Sequence, residues 1–366
     1  MTQEDKIHLN ALYLLSGVGS VTLRKLARFF PDFKSAWEAP LELLLQAGIG
    51  PQSAENICQK RNAINPQEEW GKVLKYGIDI VSWNDDSYPP LLKQIPNPPF
   101  LLYFKGDINV CRQLPVAVVG SRKYSSYGAQ AVEQIVKRLS EAGVTIISGL
   151  ALGIDGLAHR AALESGGRTV AILGNSLDEP NIYPRYHYSL SQEIVEHDGC
   201  VISEYPIPTP AAAGTFPARN RLIAGISLGT LVIEAGEKSG SLITAQWALE
   251  FNREIFAVPG SIFSSQSEGT NALIKQGAKL VGSVSDILEE LNINESTKEK
   301  NVPIEIVPEN EEEKLILKSL STEPVHIDKL ARVTKLRTMT ISSAITIMEM
   351  KGWIKNIGGN NYIRIK

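Results

Sequence analysis

The chain has 366 residues, a net charge of −3 and 21% charged residues, a length that calls for two or three domains, each with its own core. That near-neutral balance excludes a protein held to nucleic acid by its overall charge, so any such binding needs a local patch. No apolar run reaches membrane-spanning length, and the first residues lack the basic and apolar blocks of a signal peptide; the expectation is a cytoplasmic protein with no membrane partner. Cys58, Cys111 and Cys200 are odd in number and without metal-type spacing, and the five histidines form no ligand pair, so no metal is expected.

Residues 1–72 read as a small helical domain. Leu14-Leu15-Ser16-Gly17-Val18-Gly19 and Leu44-Leu45-Gln46-Ala47-Gly48-Ile49-Gly50 repeat one pattern, an apolar helix, a G-h-G turn and a second helix. This is similar to the helix-hairpin-helix motif. The spacing shows that two helices meet at a tight turn, and leaves open whether the turn amides hold a phosphate or only pack. The proline-rich segment that follows contains two short candidate strands, 78–83 and 100–104, at an edge or beside the first strand of the main sheet.

From residue 116 the pattern changes. VAVVG (116–120), VTIISG (144–149), TVAILG (169–174), CVISEYP (200–206), GTLVIEA (229–235) and EIFAVPG (254–260) are continuously apolar, as parallel strands are when helices cover both faces. Helical stretches separate them, so the predicted architecture is doubly wound α/β, over residues 73–292. In such a sheet ligands sit where strands end and helices begin. Gly120-Ser121-Arg122, Ser148-Gly149, Phe216 to Arg221 and Lys238-Ser239-Gly240-Ser241 therefore fall on one rim.

Gly120-Ser121-Arg122 has the makings of a phosphate site: a close backbone approach, a hydroxyl and a planar guanidinium. Neither G-x-G-x-x-G nor G-x-x-x-x-G-K-[ST] is present, which argues against a dinucleotide cofactor and against an ATPase. Lys238 to Ser241 reads as an anion site at a helix start or as a serine helix cap. On a helix, Arg219 and Arg221 diverge by about 200°; one is expected to face a ligand and the other to bind Glu204, Glu234 or a sheet carbonyl. Phe216 is expected on a loop, to stack on a base or to anchor the loop. Asp155 and His159 share a helix face, but Asp155 reads as a first-turn acid with His159 packed below it rather than as a catalytic pair.

An acidic run over 293–311 reads as a linker to a third domain, 312–366. From Lys314 to Lys366 ten basic residues stand against Glu323, Asp328 and Glu349. Three helices and a hairpin around Gly358-Gly359-Asn360-Asn361 resemble a winged helix, whose third helix would expose Arg337, Thr338, Thr340 and Ser343 to duplex DNA. A protein-docking module fits the same pattern.

VAVVGSRKYSSYG, IISGLALGIDGLAHRAAL, ISEYP, FPARNRLIAGIS and GTLVIEAGEKSGSLITAQWALE, in that order, resemble the DNA-processing protein A (DprA/Smf) family. The resemblance implies an extended Rossmann-like fold with accessory helical (SAM-like) and winged-helix modules. It further implies a homodimer, without enzymatic activity or cofactor, that binds single-stranded DNA, protects incoming DNA in natural transformation and loads RecA. Its DNA pocket would comprise Gly120, Ser121, Arg122, Ser148, Gly149, Phe216, Arg219, Asn220, Arg221, Lys238, Ser239, Gly240 and Ser241. Ala213 stands where some members carry a basic residue. Two other readings remain: a nucleoside monophosphate phosphoribohydrolase using Glu234 and Arg219, and a winged-helix transcription regulator with a sensing core.

Overall fold

The computed structural model describes residues 1–293, 308, 310–321 and 323–364, which fall into two compact units, Met1–Ser296 and Thr297–Lys366. Most of the expected linker, 293–311, lies outside the described residues.

The first unit opens with six helices, α1 (Gln3–Leu14), α2 (Ser20–Phe29), α3 (Phe33–Glu38), α4 (Leu41–Gln46), α5 (Pro51–Lys60) and α6 (Pro66–Lys75). Side chains of Thr2, Asp32 and Asn65 accept from the first free amides of α1, α3 and α6, which fixes where these helices begin. The two G-h-G turns are built alike. Gly17 and Gly48 both sit at positive φ, 86° and 77°, and each turn leads into a ten-residue helix, α2 or α5. The turns also hold each other: Lys25 Nζ donates to the Gly48 carbonyl at 2.6 Å, and Asn56 Nδ2 donates to the Ser16 carbonyl.

Residues 1–72, expected as a domain of their own, share their core with the sheet. Leu9, Leu12, Leu23, Leu44 and Ile57 belong to one buried cluster with Phe100, Leu101, Tyr103, Leu173 and Val201. Helices of six to twelve residues have too little apolar face to close alone. Tyr103 donates to Asn10 Oδ1 at 2.7 Å within that interface, and Tyr13 donates to the Glu204 carbonyl at 3.0 Å.

The sheet has nine strands: β1 (Asp79–Ser82), β2 (Leu101–Gly106), β3 (Pro115–Val119), β4 (Thr145–Ser148), β5 (Thr169–Leu173), β6 (Cys200–Ser203), β7 (Gly229–Val232), β8 (Glu254–Ala257) and β9 (Lys279–Leu280). Their order is β1-β2-β6-β5-β4-β3-β7-β8-β9. β3 to β9 are parallel, while β1 and β2 form an antiparallel pair added beyond β6. The two candidate strands of the proline-rich segment thus make an edge.

Between the strands run α7 (Ser126–Glu141), α8 (Ile154–Glu164), α9 (Tyr188–Glu196), α10 (Thr215–Ile226), α11 (Ser241–Glu250), α12 (Glu268–Lys275) and α13 (Val284–Glu290). Alternate residues of β3 show why its run is apolar throughout. Val116 and Val118 pack with α7, α8 and α13, whereas Ala117 and Val119 pack with Leu222, Ile223, Ile226 and Ala245 of α10 and α11. The chain moves outward from β3 to β6 and then crosses back to β7 on the other side of β3. The order therefore reverses between β3 and β7, and a crevice opens beyond their carboxyl ends.

The second unit contains α14 (Glu311–Ser319), β10 (Val325–His326), α15 (Ile327–Thr334), α16 (Thr338–Met350), β11 (Ile354–Asn356) and β12 (Asn361–Arg364), with strand order β10-β12-β11. Ile316, Leu330, Ile341, Ile345, Met348 and Ile354 form its core. Gly358, Gly359 and Asn360 all take positive φ in the hairpin turn. This is the predicted winged helix.

Candidate nucleic-acid interface

The crevice between β3 and β7 is a cleft of about 690 Å³. One side is the turn after β3, Gly120 to Lys123; the opposite side is Gly236 and Lys238 to Ser241, after β7 and into α11; the wall is α10 from Phe216 to Ile223. Val119, Ala151, Asp155, Ala213, Ile243, Thr244 and Gln266 complete the lining.

The turn after β3 is held from within. Ser121 N donates to the Glu234 carbonyl at 2.7 Å, Ser121 Oγ donates to the Lys123 carbonyl at 3.0 Å, and the Ser121 carbonyl accepts from Ile154 N. Gly153, at φ 87°, passes so close that an added Cβ would lie 2.3 Å from the Ser121 carbonyl oxygen. Arg122 is exposed, with its guanidinium 5.9 Å from the centre of the Phe216 ring. Phe216 is half-buried in the first turn of α10, not on a loop, and packs on Tyr183 with ring centroids 5.5 Å apart. Pro217 fits that first turn because the amide it lacks has no partner there.

Arg219 is buried at the cleft floor. Its Nη1 donates to the Gly149 carbonyl at 2.6 Å and to the Ile172 carbonyl, and its charge lies near Asp155. Asp155 Oδ2 in turn accepts from Gly149 N at 3.0 Å. Burial pulls the Arg219 guanidinium down to about 10, against the pull of Asp155, so it stays a cation at neutral pH. Burial likewise pushes the Asp155 carboxyl up, opposed by Arg219 and by the amides of Ala151 and Gly149. Arg221, two residues on, pairs with Glu204 away from the cleft. The two arginines diverge as helix geometry requires, and both are bound inside the protein. Of the two, Arg219 lines the cleft while also holding the carbonyls of Gly149 and Ile172, and Arg221 holds the Glu204 carboxylate, one of the partners expected for it.

Ser148 is fully buried, its Oγ donating to the Val118 carbonyl at 2.6 Å, and is not among the lining residues. Gly149 touches only a small side recess of about 30 Å³. Asn220 ties the α10 wall to the start of α11, donating to the Gly240 carbonyl at 3.2 Å and accepting from Arg219 Nε at 3.3 Å. Lys238 is exposed on the rim. Gly240, without a side-chain cap, starts α11, and Ser239 Oγ lies 2.8 Å from Ser241 Oγ. Neither serine caps the helix; Leu242 N and Ile243 N donate instead to the carbonyls of Ser239 and Gly240, at 3.1 and 3.3 Å. Among the lining residues Arg122, Lys123, Arg219 and Lys238 stand against Asp155 alone, which Arg219 already offsets. The cleft is thus a cationic trough with hydroxyls, the positive end of the α11 dipole and one aromatic wall.

Two tempting acid–base groups are occupied elsewhere. Glu234 is 2% exposed and accepts from Ser125 N at 2.9 Å and Ser125 Oγ at 2.5 Å, so its carboxylate ties the start of α7 to β7. His159 is fully buried, with Nδ1 2.6 Å from Thr169 Oγ1. Lys123, Gln266 and Tyr183 escaped the sequence reading; Gln266 and Tyr183 come from distant loops with no motif of their own. In the second unit Arg337, Thr338 and Ser343 are exposed at the start of α16 and Thr340 is half-buried.

The family model for DNA recombination-mediator protein A matches residues 79–292, and that for the DprA winged helix domain matches residues 305–360. The chain belongs to the DNA recombination-mediator protein A family. Protein Smf of Synechocystis sp. is 34% identical over the full length of both chains. DNA processing protein DprA of Streptococcus pneumoniae is 46% identical over 56% of this chain and 72% of its own. A crystal structure of DNA processing protein A from S. pneumoniae superposes with TM-score 0.67 at 35% identity, covering 78% of this chain and 97% of that one. A second, from Helicobacter pylori, described by its single-stranded DNA binding mode, gives TM-score 0.53 at 30% identity over 59% and 97%. The family match spans β1 to β9, so every wall of the cleft lies inside it.

Proposed function

We propose that the chain is a non-catalytic, cytoplasmic recombination mediator that grips single-stranded DNA in the cleft between β3 and β7. As a homodimer it protects incoming DNA during natural transformation and loads RecA onto it. The observation that carries this reading is the placement of two exposed rim cations, Arg122 and Lys238, with the start of α11 on one cleft. Phosphates of a flexible strand match such a site without any base being specified, and the Phe216 face offers sequence-tolerant stacking. The H. pylori relative described as binding single-stranded DNA supports the same ligand.

The phosphoribohydrolase reading loses ground because Glu234 and Arg219 are both buried and hydrogen-bonded within the fold. In the winged helix, Arg337, Thr338, Thr340 and Ser343 are assigned to an auxiliary duplex contact, Arg337 at the start of α16 meeting a phosphate. The test is binding of oligo-dT against duplex of equal length, followed by the lag of RecA ATP hydrolysis on that strand. Preference for the single strand and a shortened lag are expected. Equal affinity for duplex with an unchanged lag would overturn the assignment.

A further inference from the structure

The loop after β8 carries an unusual tip. Ser264 N donates to the Ser261 carbonyl at 3.0 Å, and Phe263 N donates to Ser261 Oγ at 3.2 Å. Ile262 and Phe263 therefore occupy the two corner positions of a tight turn, where small and polar residues normally stand. Their side chains are 82% and 94% exposed. The turn is firmly seated: Ala235 N donates to the Gln266 carbonyl at 2.9 Å, Ser267 N to the Ser264 carbonyl at 3.0 Å, and Asn271 pairs with both backbone groups of Gly260. Nothing inside the fold requires apolar side chains at this corner.

The tip adjoins the cleft. Gln266, at the end of the loop, is a lining residue, and an added Cβ on the lining residue Gly236 would lie 3.2 Å from the Ser265 carbonyl oxygen. On the opposite flank Tyr127 donates its hydroxyl to the Pro259 carbonyl at 2.7 Å, which joins the start of α7 to the same loop. Tyr127 and Tyr124 are each close to half exposed, and Tyr124 directly follows the exposed cations Arg122 and Lys123. Residues 259–267 contain no carboxylate; Glu237 and Glu268 stand at either side and neither lines the cleft. Cations interleaved with exposed aromatic faces, continuous with a cationic trough, match an unpaired strand better than a protein surface.

We propose that Tyr124, Tyr127 and Phe263 form a stacking track on which the unpaired bases of a strand lie as it leaves the cleft. This rests on the single-strand reading above and extends it from the cleft to the rim. Two lengths of oligonucleotide separate the claims. A short oligo-dT, about 6 nucleotides, fills the cleft alone; one of about 20 also reaches the track. The intact chain binds the longer one more tightly by more than the roughly fifteen registers that about 20 nucleotides offer a 6-nucleotide site, and Tyr124→Ala with Phe263→Ala removes that excess, roughly tenfold or more, while leaving the short one unchanged. Phe263→Trp retains the gain. Photocrosslinks from 5-iodouracil in the longer strand fall on Tyr124 or Phe263. If the short oligonucleotide binds and depends on Arg122 but the double variant keeps the full gain, or the crosslinks map elsewhere, the track is wrong and the cleft reading survives. A double variant that dissociates a dimer without altering either affinity assigns the tip to a contact between copies and also overturns the track. Absence of binding to either length removes both claims.

Discussion

Arg219→Met removes the buried strut of the cleft while keeping most of the side-chain stem. The substitution strands the Asp155 carboxylate without its cation and takes a donor from the carbonyls of Gly149 and Ile172. Asp155 keeps its amide donors, so losing the nearby cation costs less than the ~3–5 kcal/mol of a broken buried ion pair, and each orphaned carbonyl adds about 1 kcal/mol. Proton uptake by Asp155, whose carboxyl burial already pushes up, limits the total. The expected loss is about 3–5 kcal/mol at pH 7, a large part of a domain's stability. The penalty shrinks as pH falls, since a carboxyl raised in the folded state destabilises only where it must be ionised. Urea unfolding followed by circular dichroism measures it, with Asp155→Asn and the double variant closing a cycle. A strut predicts that the double variant is more stable than the sum of the single losses by at least about 1 kcal/mol. A loss under about 1 kcal/mol together with abolished strand binding would refute it, because Arg219 would then be serving the ligand and not the fold.

Other outcomes follow from the same packing. Thr169 Oγ1 donates to the Ile146 carbonyl, so His159 Nδ1 must be the donor to Thr169, leaving Nε2 buried and bare. Burial pulls the His159 imidazole down to about 3 from its ordinary 6.5. Its contribution is present above the unfolded value and is lost as pH falls from 6.5 towards 3, at up to about 1.4 kcal/mol per pH unit; His159→Leu should flatten that limb in urea unfolding at stepped pH. Gly153→Ala meets the Ser121 backbone at positive φ and should cost about 3 kcal/mol or more, read as a fall in the unfolding midpoint. Arg337→Ala should weaken duplex binding evenly across sequences, as loss of a phosphate contact does, measured by competition with unrelated duplexes.

The core strands were legible because β3 to β8 are covered on both faces, and that coverage forces unbroken apolar runs. The antiparallel edge was legible only in part: its two strands were expected, but not which of two places they take. β2 pairs with β6, whose sequence lies nearly a hundred residues on, and the prolines between β1 and β2 carry no periodicity. Within the site, sequence placed Gly120, Gly240, Arg122 and Lys238 on one rim through their positions after strands. It misplaced Ser148, since a hydroxyl at a strand end can point to solvent or, as here, to the Val118 carbonyl, and no local pattern distinguishes the two. The divergence of Arg219 and Arg221 was readable from helical geometry, whereas their partners depended on where Glu204, Gly149 and Ile172 arrive in space. Gln266 and Tyr183 reach the site from loops far along the chain, which is why no motif announced them.

The most direct test of the cleft is the salt dependence of oligo-dT binding by fluorescence anisotropy, with Arg122→Ala and Lys238→Ala beside the intact chain. If each cation holds a phosphate of a single strand, log affinity falls linearly with log salt, and each substitution makes that slope shallower by about 0.7. Slopes identical in all three proteins would contradict the account, because the strand would then be bound somewhere other than the rim between β3 and β7.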